Sequence, residues 1–431
     1  MSRSRIPRAA LAFALLAAAA LGAGGGCAMR DRSNPLDPKN RSVTHGLLGG
    51  FNAVAGDNVV LLRWTPVALA GVESYRVDRW HPGEAPRPLP GALYPPYTSS
   101  AEDLSARNDS IYVYRVVARF GSGDSVASPP DTATPGTLRI MVLVADLPGV
   151  AGLSPDMRDI VYGDAASEPY DEIDLDSTRG VFWLSQYERG VIASRRFETL
   201  NGGIEFQSYH PTDIAITTQR PTIWAAQPEL SQVSRLLAGD TTGSAVVGVG
   251  PARVVESNSA NATLWIGADD GALYHASAAT LDTLRSWHFS GRVGPIAVDV
   301  ASDEAWVAVR SSDLFDLYLV AAGDPVPLRL RTGLLNVTDI KVEGATRTAW
   351  VSERGAPLAG NGRLSRVARD GTVLATLVGI EPYALSVEPG SSEVWVTDIR
   401  SDRLIEVTPA GAIVRRSPRM GVPYGVRVYR P

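Results

Sequence analysis

Short apolar runs, broken every few residues by turn-forming positions, continue from about Asn58 to the end of the chain. Many alternate apolar and polar residues, which marks strands with one buried face; others are short continuous runs bounded by Gly, Pro, Asn or Asp. No stretch of useful length repeats apolar residues at helical spacing. The pattern predicts an all-β chain.

One strand carries a tryptophan and returns at a nearly constant interval. It reads "GVFWLSQ" at Trp183, "PTIWAAQ" at Trp224, "ATLWIGA" at Trp265, "DEAWVAV" at Trp306, "RTAWVSE" at Trp350 and "SEVWVTD" at Trp395, with spacings of 41, 41, 41, 44 and 45 residues. A period of about 40–45 residues with four short strands per unit is the mark of a β-propeller. A preceding strand recurs as well. It starts at Asp171, Pro211, Pro251, Pro295, Val337, Pro382 and Pro423. There are seven of these first strands and six tryptophans. The last, "PYGVRVY", has no following strands, whereas "TLRIMVLVAD" around Met141 looks like a second strand lacking its first. Pairing the two makes a seventh unit from both ends of the region and removes the open sheet edges. The expectation is a seven-bladed propeller over 138–431, with six blades plus stray terminal strands as the alternative. The tryptophans are expected to fill the gaps between neighbouring sheets.

The units, best seen in "PYALSVEPGSSEVWVTDIRSDRLIEVTPAG", resemble NHL-type and related six- or seven-bladed propellers. That resemblance covers about two thirds of the chain and implies fold far more than function.

Ahead of the repeats, "NVVLLRW", "SYRVDRW" and "SIYVYRVVARF" read as strands separated by turn-rich segments. Tyr112, Tyr114, Val116 and Ala118 share one face of the last. Such runs over 45–136 predict a β-sandwich. Trp64, Tyr75, Tyr112, Tyr114 and the closing "SVASPP" resemble a fibronectin type III domain, which implies spacing or adhesion. "DTATPGT" has the composition of a linker.

The first residues are set apart. Arg3, Arg5 and Arg8 precede the apolar "AALAFALLAAAALGA", and small residues then lead to Cys27, the only cysteine. That order is a bacterial export signal. Cys27 resembles the lipid-bearing cysteine of bacterial lipoproteins, although Gly24 stands where that motif usually has Leu. Ordinary cleavage nearby and an uncleaved anchor are the alternatives. Ala28, rather than Asp, after the cysteine implies the outer membrane by the same resemblance. Residues 1–27 are thus read as signal and anchor. Residues 28–44, polar and proline-bearing, are read as a flexible tether.

Composition adds little. A net charge of −5 argues against nucleic-acid binding. Lys39 and Lys341 are the only lysines among many arginines, which reads as genome composition.

The five histidines show no zinc spacing, and there is no P-loop or Gly-x-Ser-x-Gly elbow. No cofactor, metal or catalytic residue is assigned. Some propeller lyases, the streptogramin-cleaving family among them, hold a metal and a histidine on the axis. Here the first-strand starts offer Glu172, His210, Thr338, Tyr383 and Tyr424, a set with a single histidine. The acidic "EPYDEIDLD" is expected to be a solvated rim. The remaining candidate is the top face, built from loops entering the first strands and leaving the second. Its candidate binding residues are His210, Tyr383, Tyr424, Glu172, Asp269, Arg310, Arg354 and Asp398. The expectation is an exported, lipid-anchored, monomeric envelope protein whose propeller binds a protein or glycan. The alternative is a propeller lyase or hydrolase with an axial site.

Overall fold

In the computed structural model the described residues are 48–67, 71–146, 148–166, 168–197, 202–217, 222–237, 244–356, 359–388 and 392–430. They form strands and turns, with one 3-10 turn at Pro228–Leu230 and no α-helix. Among them, no helix is long and apolar enough to cross a membrane. The export segment 1–27 with Cys27 and the tether 28–44 lie outside the described residues.

The chain divides into two compact units. The first runs through Ala53 and takes in Leu61–Asp103 and Ile111–Ala133; the second is Val54–Val60, Leu104–Ser110 and Thr134–Pro431. In the first unit, Tyr112–Phe120 pairs antiparallel with Val72–Trp80 on one side and with Ser125–Ala127 and Asp131–Ala133 on the other. Arg87–Tyr94 extends that sheet, and a separate three-stranded sheet includes Val60–Arg63 and Ser100–Asp103. Period-two alternation does the sorting: Tyr112, Tyr114, Val116 and Ala118 are all buried. Trp64 lies 5.6 Å from the ring of Tyr75 and 5.9 Å from that of Tyr94. The Tyr114 hydroxyl donates to the buried Asp103 at 2.8 Å, and Arg79 pairs with the same carboxylate at 2.6 Å.

The second unit contains seven four-stranded antiparallel sheets. Their inner strands are labelled in chain order: β1 Glu172–Asp176, β2 Asp213–Thr217, β3 Ala252–Asn258, β4 Arg292–Asp299, β5 Val337–Glu343, β6 Pro382–Val387 and β7 Pro423–Tyr429. From β1 to β6, each inner strand leads a sheet whose other three strands follow it in sequence. The seventh sheet is different. Its inner strand β7 pairs with Arg139–Val144, which pairs with Gly149–Leu153 and then Ile160–Ala165. Each inner strand packs against the next, and β7 packs against β1. The circle is closed, as in a β-propeller.

The recurring tryptophans explain how the sheets stack. All six are at most 4% exposed. Each packs into the sheet that follows: Trp183 against Ile214 and Ile216, Trp265 against Ile296 and Val307, and Trp395 against Val426 and Ile140. Met141 takes this role in the seventh sheet and meets Ile173 and Phe182 of the first. Burying a side chain of this size stabilises the fold by about 3–5 kcal/mol relative to alanine.

The inner strands belong to different sheets, so no backbone ladder joins them. Side chains supply the links. The Val255 amide donates to Asp213 Oδ2 at 2.8 Å, the Leu385 amide to Asp339 Oδ2 at 2.7 Å, and the Val428 amide to Ser386 Oγ at 2.9 Å. Thr212 Oγ1 donates to the Arg253 carbonyl at 2.8 Å. Each residue ties one inner strand to its successor.

The indole N–H groups are not equivalent. Trp265 Nε1 donates to Asp303 Oδ1 at 3.1 Å, and that carboxylate also accepts from His275, Asn258 and Thr263. Trp350 Nε1 is buried without a hydrogen-bond partner among the described residues. An unmet buried N–H costs stability, and a met one is costly to remove. Trp265→Phe is therefore expected to destabilise the protein by about 1–2 kcal/mol more than Trp350→Phe. Urea unfolding of both variants measures the difference; equal losses would mean that the Asp303 bond contributes nothing.

Candidate functional site

Antiparallel register places seven inner-strand residues in one layer, each directly across from the tryptophan position of its sheet. They are Asp174, Ala215, Glu256, Ala297, Lys341, Ser386 and, opposite Met141, Arg427. Two residues earlier on the same side lie Glu172, Asp213 and Asp339. Because the inner strands converge, these groups from distant parts of the sequence meet around one axis.

Five carboxylates there share two cations. Lys341 Nζ lies 3.4 Å from Glu256 Oε1 and 3.5 Å from Asp339 Oδ1. Arg427 reaches Glu172 at 3.2 Å and Asp174 at 3.3 Å. Asp213 has no ion-pair partner among the described residues; it accepts the Ile214 and Val255 amides. The titration behaviour follows this imbalance. Burial acts to lower the Lys341 ammonium, but Asp339 and Glu256 outweigh it and hold Lys341 above its ordinary value. The Arg427 guanidinium is held up in the same way, burial being outweighed by Glu172 and Asp174. The carboxyls are pushed the other way. Burial raises Glu172 and Glu256 despite the nearby cations, and burial followed by Glu172 and Glu256 raises Asp213 well above the ordinary carboxyl value.

The axis opens into a polar cavity of about 390 Å³. Glu172, Asp213, Glu256, Asp339, Lys341 and Arg427 line it, and so do Tyr383 and Tyr424. Burial raises both phenols above their usual value. The Tyr424 hydroxyl donates to the Tyr170 carbonyl, which ties the closing strand to the approach of β1. Arg253, Arg292 and Arg310 form another part of the lining. Asp269 Oδ1 serves two of them, lying 2.8 Å from Arg253 Nε and 2.7 Å from Arg292 Nε.

The expected site residues separate into groups. Glu172, Tyr383, Tyr424 and Arg310 line this one cavity, and Asp269 is bound to two of its arginines. Arg354 stands behind Tyr383, 5.9 Å over its ring, and donates to Glu381 at 2.8 Å. His210 does not line this cavity; its ring lies 4.7 Å from that of Tyr187, which with Glu229 lines a neighbouring depression. Its Nδ1 is 3.0 Å from Glu229 Oε2, and its backbone is left-handed at φ 40°. Asp398 is only 5% exposed. It accepts from the Glu381 and Arg400 amides and from Ser401 Oγ, so it shapes the turn rather than facing a ligand.

Two sequence readings change. The acidic segment 168–176 is not a solvated rim throughout: Glu172 and Asp174 pair with Arg427 on the axis, and Asp176 is buried against Thr178 and Arg179. Lys341 is more than a trace of base composition, because it is the ammonium among the channel carboxylates. Arg253, Arg292, Asp213, Glu256, Asp339, Lys341 and Arg427 were not anticipated. The available clue was a charged residue inside an otherwise apolar first strand, as in "VTDIKV" and "PYGVRV". Among the described residues, no group of three or more histidine, cysteine or acidic side chains is placed to hold a metal ion.

No protein-family pattern matches the sequence, and no curated protein matches it. Solved structures do. Hydrazine synthase of Kuenenia stuttgartiensis superposes with a TM-score of 0.53 at 11% identity, over 61% of this chain and 90% of that one. A functionally unknown protein of Desulfotomaculum acetoxidans gives 0.54 at 13% identity, over 68% and 99%. The β-propeller domain of Cps50 (Swd1) from Myceliophteria thermophila gives 0.48 at 9% identity, over 62% and 92%. At these identities the first two show likeness of fold alone.

The shared cations generate a pH-dependent expectation. A carboxyl whose pKa is raised by folding keeps its proton longer in the folded state than in the unfolded chain. Stability is then greatest below the unfolded value, near 4.3 for Glu, and falls as pH rises through the folded value. Arg427→Met removes the cation that opposes this trend at Glu172. The variant is expected to lose about 3 kcal/mol at neutral pH, with a deficit that grows between pH 4 and pH 8. Urea midpoints at several pH values test this; a deficit independent of pH would sever Arg427 from the carboxylates.

Proposed function

We propose that this is an exported, lipid-anchored envelope protein, monomeric, whose seven-bladed propeller is a binding or scaffolding module for a protein or glycan. A fibronectin-like sandwich and a flexible tether would carry the propeller away from the membrane. The observation that carries the binding part is the cavity at the end of the axis. Charged and phenolic side chains from all seven inner strands line it, and the side-chain links between those strands hold them in place. Ligand-contacting groups on a closed, rigid scaffold need little reordering on association, which lowers the entropic cost of binding. The lipid anchor rests on Cys27 and its preceding apolar segment.

A second reading, a propeller lyase or hydrolase, is favoured by one feature. His210 faces Glu229, whose carboxylate also accepts the Tyr187 hydroxyl at 2.5 Å. A hydrogen bond from Tyr187, then one with His210, holds the Glu229 carboxyl below its ordinary value. A histidine held by a carboxylate is an arrangement used in acid–base chemistry.

Two measurements decide. Cys27→Ala is expected to release the protein from the membrane fraction into the soluble envelope fraction; retention in the membrane would defeat the lipid-anchor reading. Affinity capture from solubilised envelope is expected to recover a specific partner. Tyr383→Ala should abolish that capture, whereas His210→Asn should leave it intact. Capture insensitive to Tyr383 would place binding away from the cavity.

A further inference from the structure

We propose that the channel-mouth cavity binds a zwitterionic ligand of amino-acid or short-peptide size, with its carboxylate on Arg253, Arg292 and Arg310 and its ammonium on Glu172 and Asp213. This deepens the binding reading above and rests on it.

The cationic side of the cavity is under-neutralised. Arg292 and Arg310 are directly opposite one another in the antiparallel register of β4 and Glu304–Ser311. Like charges in that position repel at close range. Arg253 of the neighbouring sheet joins them through Asp269. One oxygen of Asp269 therefore serves two guanidiniums. Arg310 is left with the Ser312 carbonyl at 2.8 Å and the fully exposed Asp313 at 3.8 Å. The crowding shows in Arg292: burial first, then Arg253 and Arg310, hold it below its ordinary value despite Asp269. Guanidiniums offer paired donors suited to a carboxylate. An incoming carboxylate would relieve repulsion already present in the fold.

The opposing side has the reverse excess. Glu172, Asp174, Glu256 and Asp339 take up Lys341 and Arg427, and Asp213 has neither cation as an ion-pair partner among the described residues. Burial, then its neighbours Glu172 and Glu256, make it harder to ionise. An ammonium would stabilise these carboxylates in their charged form.

Among the described residues, no ion pair joins the three arginines to the axial carboxylates, although both groups line the same cavity. Between them, β4 past Arg292 contributes little polarity. Its register slips between Val293 and Ile296, and the lining there is Gly294 and Pro295. A Cβ on Gly294 would come within 3.1 Å of Phe315 Cε1 and 3.2 Å of the Ala308 carbonyl. Two opposite charge excesses are thus kept apart across about 390 Å³. A ligand with both charges answers both excesses; one with a single charge answers only one.

The test is titration calorimetry of the full chain with triglycine, N-acetyltriglycine and triglycinamide, which differ only in which end is charged. Triglycine is expected to bind, and blocking either end to weaken it tenfold or more. Arg310→Gln, at a half-exposed position that the fold does not need, should weaken triglycine to a similar degree. Its circular dichroism and melting temperature should match the parent protein. Equal binding of N-acetyltriglycine would reduce the site to an anion site, and equal binding of triglycinamide to a cation site. Either result overturns the zwitterion assignment, as does no binding by all three. If the peptides fail while Tyr383-dependent capture of an envelope partner persists, only this inference falls. If that capture is also lost, the binding reading falls with it.

Discussion

Ring closure is the constraint on which the rest of this structure depends. A row of four-stranded sheets stacked face to face would end in two uncovered faces, each apolar enough to aggregate. Here the pairing of β7 with Arg139–Val144 joins strands nearly three hundred residues apart in sequence. Met141 then does for the seventh sheet what tryptophan does for the others, filling the gap to Ile173 and Phe182. Closure is reinforced on the axis, where Arg427 of the last strand reaches Glu172 and Asp174 of the first.

Closure also creates the electrostatic problem of the axis. Seven strands converge on a narrow channel, and their inner side chains have little room and little bulk water. Placing charges there is expensive unless partners are well arranged. The protein meets the cost unevenly. Lys341 and Arg427 are well provided with carboxylates, while Asp213 relies on backbone amides. The same Asp213 links β2 to β3, and Asp339 links β5 to β6. These carboxylates therefore do two things at once: they bind neighbouring strands together and charge the channel. Hydrophobic replacements would reduce the desolvation cost but remove the inter-strand links.

Architecture was legible because packing repeats and the sequence repeats with it. Trp183, Trp224, Trp265, Trp306, Trp350 and Trp395 each solve the same gap between sheets, so the chain displays the period directly. Even the exception was visible, since Met141 falls one period before Trp183. The site was only partly legible. Tyr383, Tyr424, Glu172 and Arg310 could be placed by their position relative to the repeat. Lys341 and Glu256 could not be paired, because they are 85 residues apart and neither strand is hydrogen-bonded to the other. A charged residue in a short strand reads equally well as solvent-facing. Only the convergence of inner strands turns it inward. Asp398 failed for the opposite reason: a turn aspartate looks available for a ligand, yet its oxygens are taken by the Glu381 amide at the approach of β6 and by Arg400 and Ser401 of its own turn.

Arg292 and Arg310 set local stability against the proposed binding. Local preference alone would replace one of two directly opposed arginines with a neutral or acidic residue. Asp269 offsets the repulsion incompletely because it is divided between Arg253 and Arg292. Residues that break local rules in this way concentrate at functional sites, where the cost in the free protein is recovered on binding. The axial carboxylates bear the same relation to a cation. Strain of both signs, held within one cavity by a ring too rigid to collapse onto itself, is a stored complementarity. The ring supplies the rigidity, and the uneven charge is what the proposed zwitterion would answer.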